Sequence, residues 1–170
     1  EIINPDVYLV GEVWQDDKVL ENYVQPFDTK FDFAIQQKIL NCVQKGMAVP
    51  GFGDSLSVAI ENIQNKYDGV DVNYLNGVFG ANHDQDRIAS SVNSLDKARQ
   101  IAAVYMTLPG NPYIYYGEEL GMYGSKPDEM IRTPFLWGDD STYNTSWEKD
   151  DQNAETKGLA QQMKDPDSMY

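Results

Sequence analysis

Short apolar runs that stop at ionisable residues, separated by stretches with helical spacing, constrain the fold of this chain most. Tyr74–Gly80 is the clearest such run, and it gives way at once to Ala81-Asn82-His83-Asp84, which holds the only histidine. Val7-Tyr8-Leu9-Val10-Gly11 likewise runs into Glu12 and then Trp14. Strands that deliver ionisable groups at their ends suit parallel α/β folds, in which the chemistry lies past the carboxyl ends of the strands.

The intervening stretches read as helices. Ala34–Gln44 sets Ile35, Ile39, Leu40 and Val43 near helical spacing. Pro50-Gly51-Phe52-Gly53 breaks that pattern, and Asp54 is placed to cap a second helix with Leu56, Ala59, Ile60, Ile63 and Tyr67 on one face. Ser94 is expected to cap a third, through Thr107, with Leu95, Ala98, Ile101, Ala102 and Tyr105 inward. Strands are predicted over Val7–Val13 (buried), Phe31–Phe33, Tyr74–Gly80 and Tyr113–Tyr116. Such alternation predicts βαβ units and a parallel sheet. Regularity fades from Gly117 to Asn153, a long loop of the kind that is usually functional.

A formal charge of −14 makes nucleic acid and anionic membranes poor partners. No run approaches the roughly 18 apolar residues of a membrane span. The single Cys42 allows no internal disulfide, and its place in a helical run predicts a packed core thiol. Acidity with one cysteine fits an exported or cell-surface protein, and fits a cytoplasmic one as well. Glu1 lies a few residues from a core strand, and Asp165-Pro166-Asp167-Ser168 resembles the cap of a helix that does not follow. Both ends therefore look cut, and residues 1–170 read as one piece of a larger domain.

Two carboxylates past two strand ends, one near an aromatic ring and one beside a histidine, suit cleavage of a sugar. Glu12, expected to be partly desolvated and next to Trp14, would then serve as a general acid. It could equally be a strand-end acid paired with a base. Three consecutive polar residues after a core strand make Asn82-His83-Asp84 functional candidates ahead of the bland alternatives, a structural histidine and a turn-capping Asp84, and Arg87 could pair with either acid and orient it. One histidine and no thiolate cluster make a poor transition-metal set, whereas calcium could take loop Asp and Asn oxygens. Glu118 and Glu119 read better as loop-holding acids than as catalysts. Trp14, Tyr116, Phe135 and Trp137 could stack on sugar faces or pack at a rim.

These strings together resemble the α-amylase family of glycoside hydrolases. Gly11-Glu12-Val13-Trp14 is similar to the family's fifth-strand motif, which carries the general acid/base. Phe79-Gly80-Ala81-Asn82-His83-Asp84-Gln85 is similar to the seventh-strand motif, with its transition-state-stabilising Asp and substrate-binding His. Pro109–Met122 resembles the eighth strand and its exit, and Arg132-Thr133-Pro134-Phe135-Leu136-Trp137 the stretch that often follows. The resemblance implies a parallel (β/α) half barrel, strands five to eight of a TIM-type (β/α)8 barrel. It implies catalysis by Glu12 and Asp84, and substrate binding by His83, Trp14, Asn82 and Arg87. The implied partners are an α-glucan or oligosaccharide substrate and a missing N-terminal half; calcium is possible in the parent enzyme. The family's fourth-strand nucleophile, an Asp in a Gly-Phe-Arg-x-Asp type motif, has no counterpart here. A retaining glycosidase needs that nucleophile about 5 Å from its acid/base. The 170 residues alone are accordingly expected to hydrolyse nothing and to self-associate through open sheet edges. The alternative is a non-catalytic carbohydrate-binding or assembly half-barrel module.

Overall fold

The structure, a computed structural model, describes residues 3–4, 6–45, 52–138, 143–145 and 151–170. The elements run β1 (Val10–Gly11), α1 (Asp17–Leu20), β2 (Thr29–Lys30), α2 (Phe33–Lys45), α3 (Phe52–Asp68), β3 (Gly77–Phe79), α4 (Ile88–Val92), α5 (Leu95–Thr107), β4 (Asn111–Tyr113), α6 (Asp128–Ile131) and α7 (Leu159–Gln162). They divide into two compact units, Glu1–Phe79 with Val104–Tyr113, and Gly80–Ala103 with Ile114–Tyr170.

All strand pairing lies in the first unit, and all of it is parallel. Val10 pairs with Thr29 and Gly11 with Lys30; Gly77, Val78 and Phe79 pair with Asn111, Pro112 and Tyr113. A parallel bridge from Phe31 to Gly77 joins the two pairs. Asp32, just past β2, starts α2: its Oδ1 accepts the Ile35 N–H at 2.9 Å and its carbonyl accepts the Gln36 N–H at 3.0 Å. An N-cap of this type satisfies donors that the first helical turn leaves open. The inward face of α2 carries Ile35, Ile39, Cys42 and Val43, and that of α3 carries Ile60, Ile63 and Tyr67, all buried. Cys42 is the packed thiol expected, and desolvation pushes its pKa up.

The strands are shorter than the sequence suggests, and two are displaced. Val7–Val13 narrows to β1, of which Gly11 is buried while Tyr8, Leu9 and Val10 before it are 52%, 37% and 39% exposed. Among the described residues β1 is paired on the β2 side alone, so its far edge and one face stay open. Phe31–Phe33 is replaced by Thr29–Lys30, because Asp32 caps a helix that Phe33 already begins. The last strand falls on Asn111–Tyr113 rather than Tyr113–Tyr116. Pro112, which lacks an N–H, is tolerated because β4 pairs only with β3 among the described residues. Gly110 sets that register at φ 134°, where an added Cβ would stand 2.4 Å from the Asn76 carbonyl oxygen. The expected break at Pro50-Gly51 lies outside the described residues; Asp54 sits inside α3 rather than at its cap.

The second unit buries Ile88, Ala89, Ile101, Leu120, Met122, Met130 and Ile131. Ser94 caps α5 as expected, its Oγ accepting the Lys97 N–H at 3.3 Å. Part of the long loop is ordered by side chains that imitate backbone. Asn153 accepts the Tyr123 N–H through Oδ1 and donates from Nδ2 to the Tyr123 carbonyl, both at 2.8 Å.

Candidate active site

Within the second unit, the turn that follows β3 is built from its own polar side chains. The Ala81 N–H donates to Glu118 Oε1 at 3.2 Å, the loop-holding role expected of that acid. Buried Asn82 accepts the Asp84 N–H through Oδ1 at 3.0 Å, closing an Asx-type turn. The turn leaves the side chains of His83 and Asp84 53% and 38% exposed, with His83 Nε2 3.5 Å from Asp84 Oδ2.

Asp84 is paired with Arg132, and the expected pairing with Arg87 is not the one found. Arg132 Nη2 lies 2.6 Å from Asp84 Oδ1, and its Nε donates to the His83 carbonyl at 2.8 Å. The same Nη2 stands 2.9 Å from Asp128 Oδ2, one helical turn earlier, and Lys126 Nζ bonds the other Asp128 oxygen. The Lys126 hydrogen bond, assisted by the positive charge of Arg132, holds the Asp128 carboxyl below its ordinary pKa. The result is a short row of alternating charge, Asp84, Arg132, Asp128 and Lys126.

Arg87 turns inward instead. It is 1% exposed, donates from Nη1 to the Tyr116 carbonyl at 2.6 Å, and lies 4.8 and 4.9 Å from the ring centres of Tyr115 and Tyr116. Gly117, at φ 88°, makes room: an added Cβ would meet Met122 Sδ at 2.6 Å and Arg87 Nη1 at 2.9 Å. Burial places Arg87 as a support behind the turn and not at a sugar-accessible surface.

In the first unit, Glu12 follows β1 directly and is exposed, so the partial desolvation expected of it is absent here. Trp14 stacks on Phe33 at 4.8 Å and 13° while remaining 54% exposed. Sequence reasoning missed Lys30 and Asp32, both 0% exposed, which flank Phe31 at the end of β2. Lys30 Nζ sits 3.7 Å from the centre of the Tyr67 ring, and burial lowers its pKa to about 8 against the pull of Asp32. Burial raises the Asp32 pKa, opposed by Lys30. The signal available was two opposite charges interleaved with Phe31 and Phe33 in an otherwise apolar run. Phe135 and Trp137, in the second unit, meet edge to face at 4.6 Å.

Among the described residues no three His, Cys, Asp or Glu side chains cluster to hold a metal. No described helix is long and apolar enough to cross a membrane.

Parallel strands alternating with helices define an α/β chain. The profile described as alpha amylase, catalytic domain, matches residues 1–170. Alpha-amylase 3 of Dictyoglomus thermophilum is 40% identical over 99% of this chain and 34% of its own length. A 4-alpha-glucanotransferase of Thermotoga neapolitana is 31% identical over 89% of this chain and 34% of its own. The crystal structure of an alpha-amylase from H. orenii superposes with a TM-score of 0.86 at 37% identity, covering 97% of this chain and 34% of that one. The chain belongs to the α-amylase catalytic-domain family. It spans about a third of the length of these relatives.

Proposed function

We propose that these residues are strands five to eight of a (β/α)8 barrel in a retaining glycoside hydrolase that cleaves α-glucosidic bonds of starch-like glucans or oligosaccharides. The observation that carries the reading is the match along residues 1–170, with Glu12 directly past β1 and Asp84 past β3 in the family's order. In this reading Glu12 protonates the departing glycosidic oxygen and later takes the proton of the attacking water. Asp84 accepts hydrogen bonds from hydroxyls of the ring being cleaved and offsets the oxocarbenium-like charge. His83 donates to a hydroxyl of the same ring. Trp14 gives a stacking surface and Asn82 shapes the turn.

The nucleophile belongs to the part of the barrel that this chain does not contain, so the 170 residues alone turn over no substrate. Incubating soluble α-glucan with the full-length protein should release reducing ends, while Glu12→Gln and Asp84→Asn should each lower kcat by roughly 10²–10⁴-fold. Turnover by the isolated 170 residues, or an unimpaired Glu12→Gln enzyme, would sink the reading. Products longer than the substrate would place the reaction with the glucanotransferases. Binding without hydrolysis by the full-length protein would instead support the second reading, a non-catalytic carbohydrate-binding half-barrel module.

A further inference from the structure

We propose that Phe135, Trp137 and Tyr143 form an aromatic wall that binds a neutral sugar ring, a glucose unit of an α-glucan chain; the choice of glucan rests on the reading given above. Phe135 meets Trp137 edge to face at 4.6 Å, and the Tyr143 ring stands 6.4 Å from that of Trp137, tilted by 57°. Phe135 is partly buried, whereas Trp137 and Tyr143 are 46% and 68% exposed. Neither outer ring covers the other, so both present apolar surface to water. Exposed apolar surface gathered in one place marks a binding face.

The wall is held from behind. The first N–H groups of a helix lack partners within it, and those of α7 donate to this segment. Leu159 N–H reaches the Leu136 carbonyl at 2.8 Å, and Ala160 N–H the Trp137 carbonyl at 2.9 Å. Gly138, at φ 114°, lets the chain pass so close to α7 that an added Cβ would stand 2.7 Å from Ala160 Cβ. Asn144 Nδ2 donates to the Gly138 carbonyl, tying the Tyr143 end to the same segment. Rings fixed before a ligand arrives lose little freedom on binding it.

Ring chemistry selects the ligand. The electron-rich face of an aromatic ring attracts the C–H bonds of a pyranose, and the indole N–H and phenol O–H are donors suited to its hydroxyls. A nucleobase would stack as well, but a net charge of −14 repels its phosphates. A purely apolar partner would bury both polar tips unpaired. Phe135 follows Arg132, the partner of Asp84, so closely in sequence that their Cα atoms are at most about 11 Å apart. The wall is therefore within reach of an oligosaccharide held at that acid.

The test uses the full-length protein with maltoheptaose and maltotriose, and kcat, KM and melting temperature are measured for each variant. Trp137→Ala is expected to raise KM for maltoheptaose about tenfold, with kcat changed less than about twofold and maltotriose little affected. Trp137→Phe should keep most of the affinity, and Tyr143→Ala should raise KM about threefold. Calorimetric titration of maltoheptaose into Glu12→Gln, with and without Trp137→Ala, should show the same loss where no bond is cut. Parental KM in both Trp137→Ala and Tyr143→Ala would overturn the proposal. So would a loss that is equal for the two sugars or that follows the melting temperature, since the rings would then be packing. A parent that binds maltoheptaose without cutting it, and loses that binding in Trp137→Ala, defeats the hydrolase reading and leaves the wall standing. A parent that neither binds nor cuts it defeats both.

Discussion

Lys30 is a cation that the protein has taken wholly out of water, with an aromatic face as its nearest polarisable neighbour. Its pKa is about 8 when folded and near 10.5 when exposed. Between those values the unfolded chain binds the extra proton, so the contribution of this residue to stability rises with pH through that window. Below pH 8 the lysine is charged in both states and its burial counts fully against folding. Asp32 acts in the opposite sense: with its pKa raised, it contributes less to stability as pH climbs from the ordinary carboxylate range upward. Thermal melts from pH 7.5 to 10 should show the parent gaining stability relative to Lys30→Met, by at most about 3 kcal/mol. Equal slopes for the two proteins would mean that Lys30 is not desolvated as described.

Helices and strands reached their final boundaries by different routes, which explains how much of the fold the sequence could disclose. α2, α3 and α5 were readable because 3.6-residue periodicity and a cap such as Ser94 are local properties. Strand limits depend on the neighbour: β4 lies on Asn111–Tyr113 because Gly77 pairs there, although Pro112 argues locally against a strand. Within the candidate site, Asn82-His83-Asp84 was visible as an apolar run ending in polar residues. The partner of Asp84 was not, because Arg132 lies 48 residues on and reaches it only through the fold, whereas Arg87 was nearby and turned inward. Two variants test the local devices. Ser94→Ala should cost about 1 kcal/mol through loss of the α5 cap. Gly110→Ala should cost about 1–3 kcal/mol from backbone strain alone, and more if the Asn76 carbonyl cannot retreat; an unchanged melting midpoint would show that the β3–β4 register does not depend on it.

At the scale of the whole molecule, Leu9 and Val10 leave an exposed apolar strip at β1, which among the described residues pairs on one side only. Such strips invite pairing. Sedimentation of the isolated chain at micromolar concentration should show association, strengthened by added salt because a net charge of −14 repels its own copies. A monomer that melts cooperatively would count against it. The shared arginine has a further consequence for anyone exchanging loops in this chain. The segment from Lys126 to Arg132 and the turn from Asn82 to Asp84 are far apart in sequence but joined through one guanidinium. A graft that moves one without the other would split a two-part cassette and leave the Asp84 carboxylate without the guanidinium that holds it.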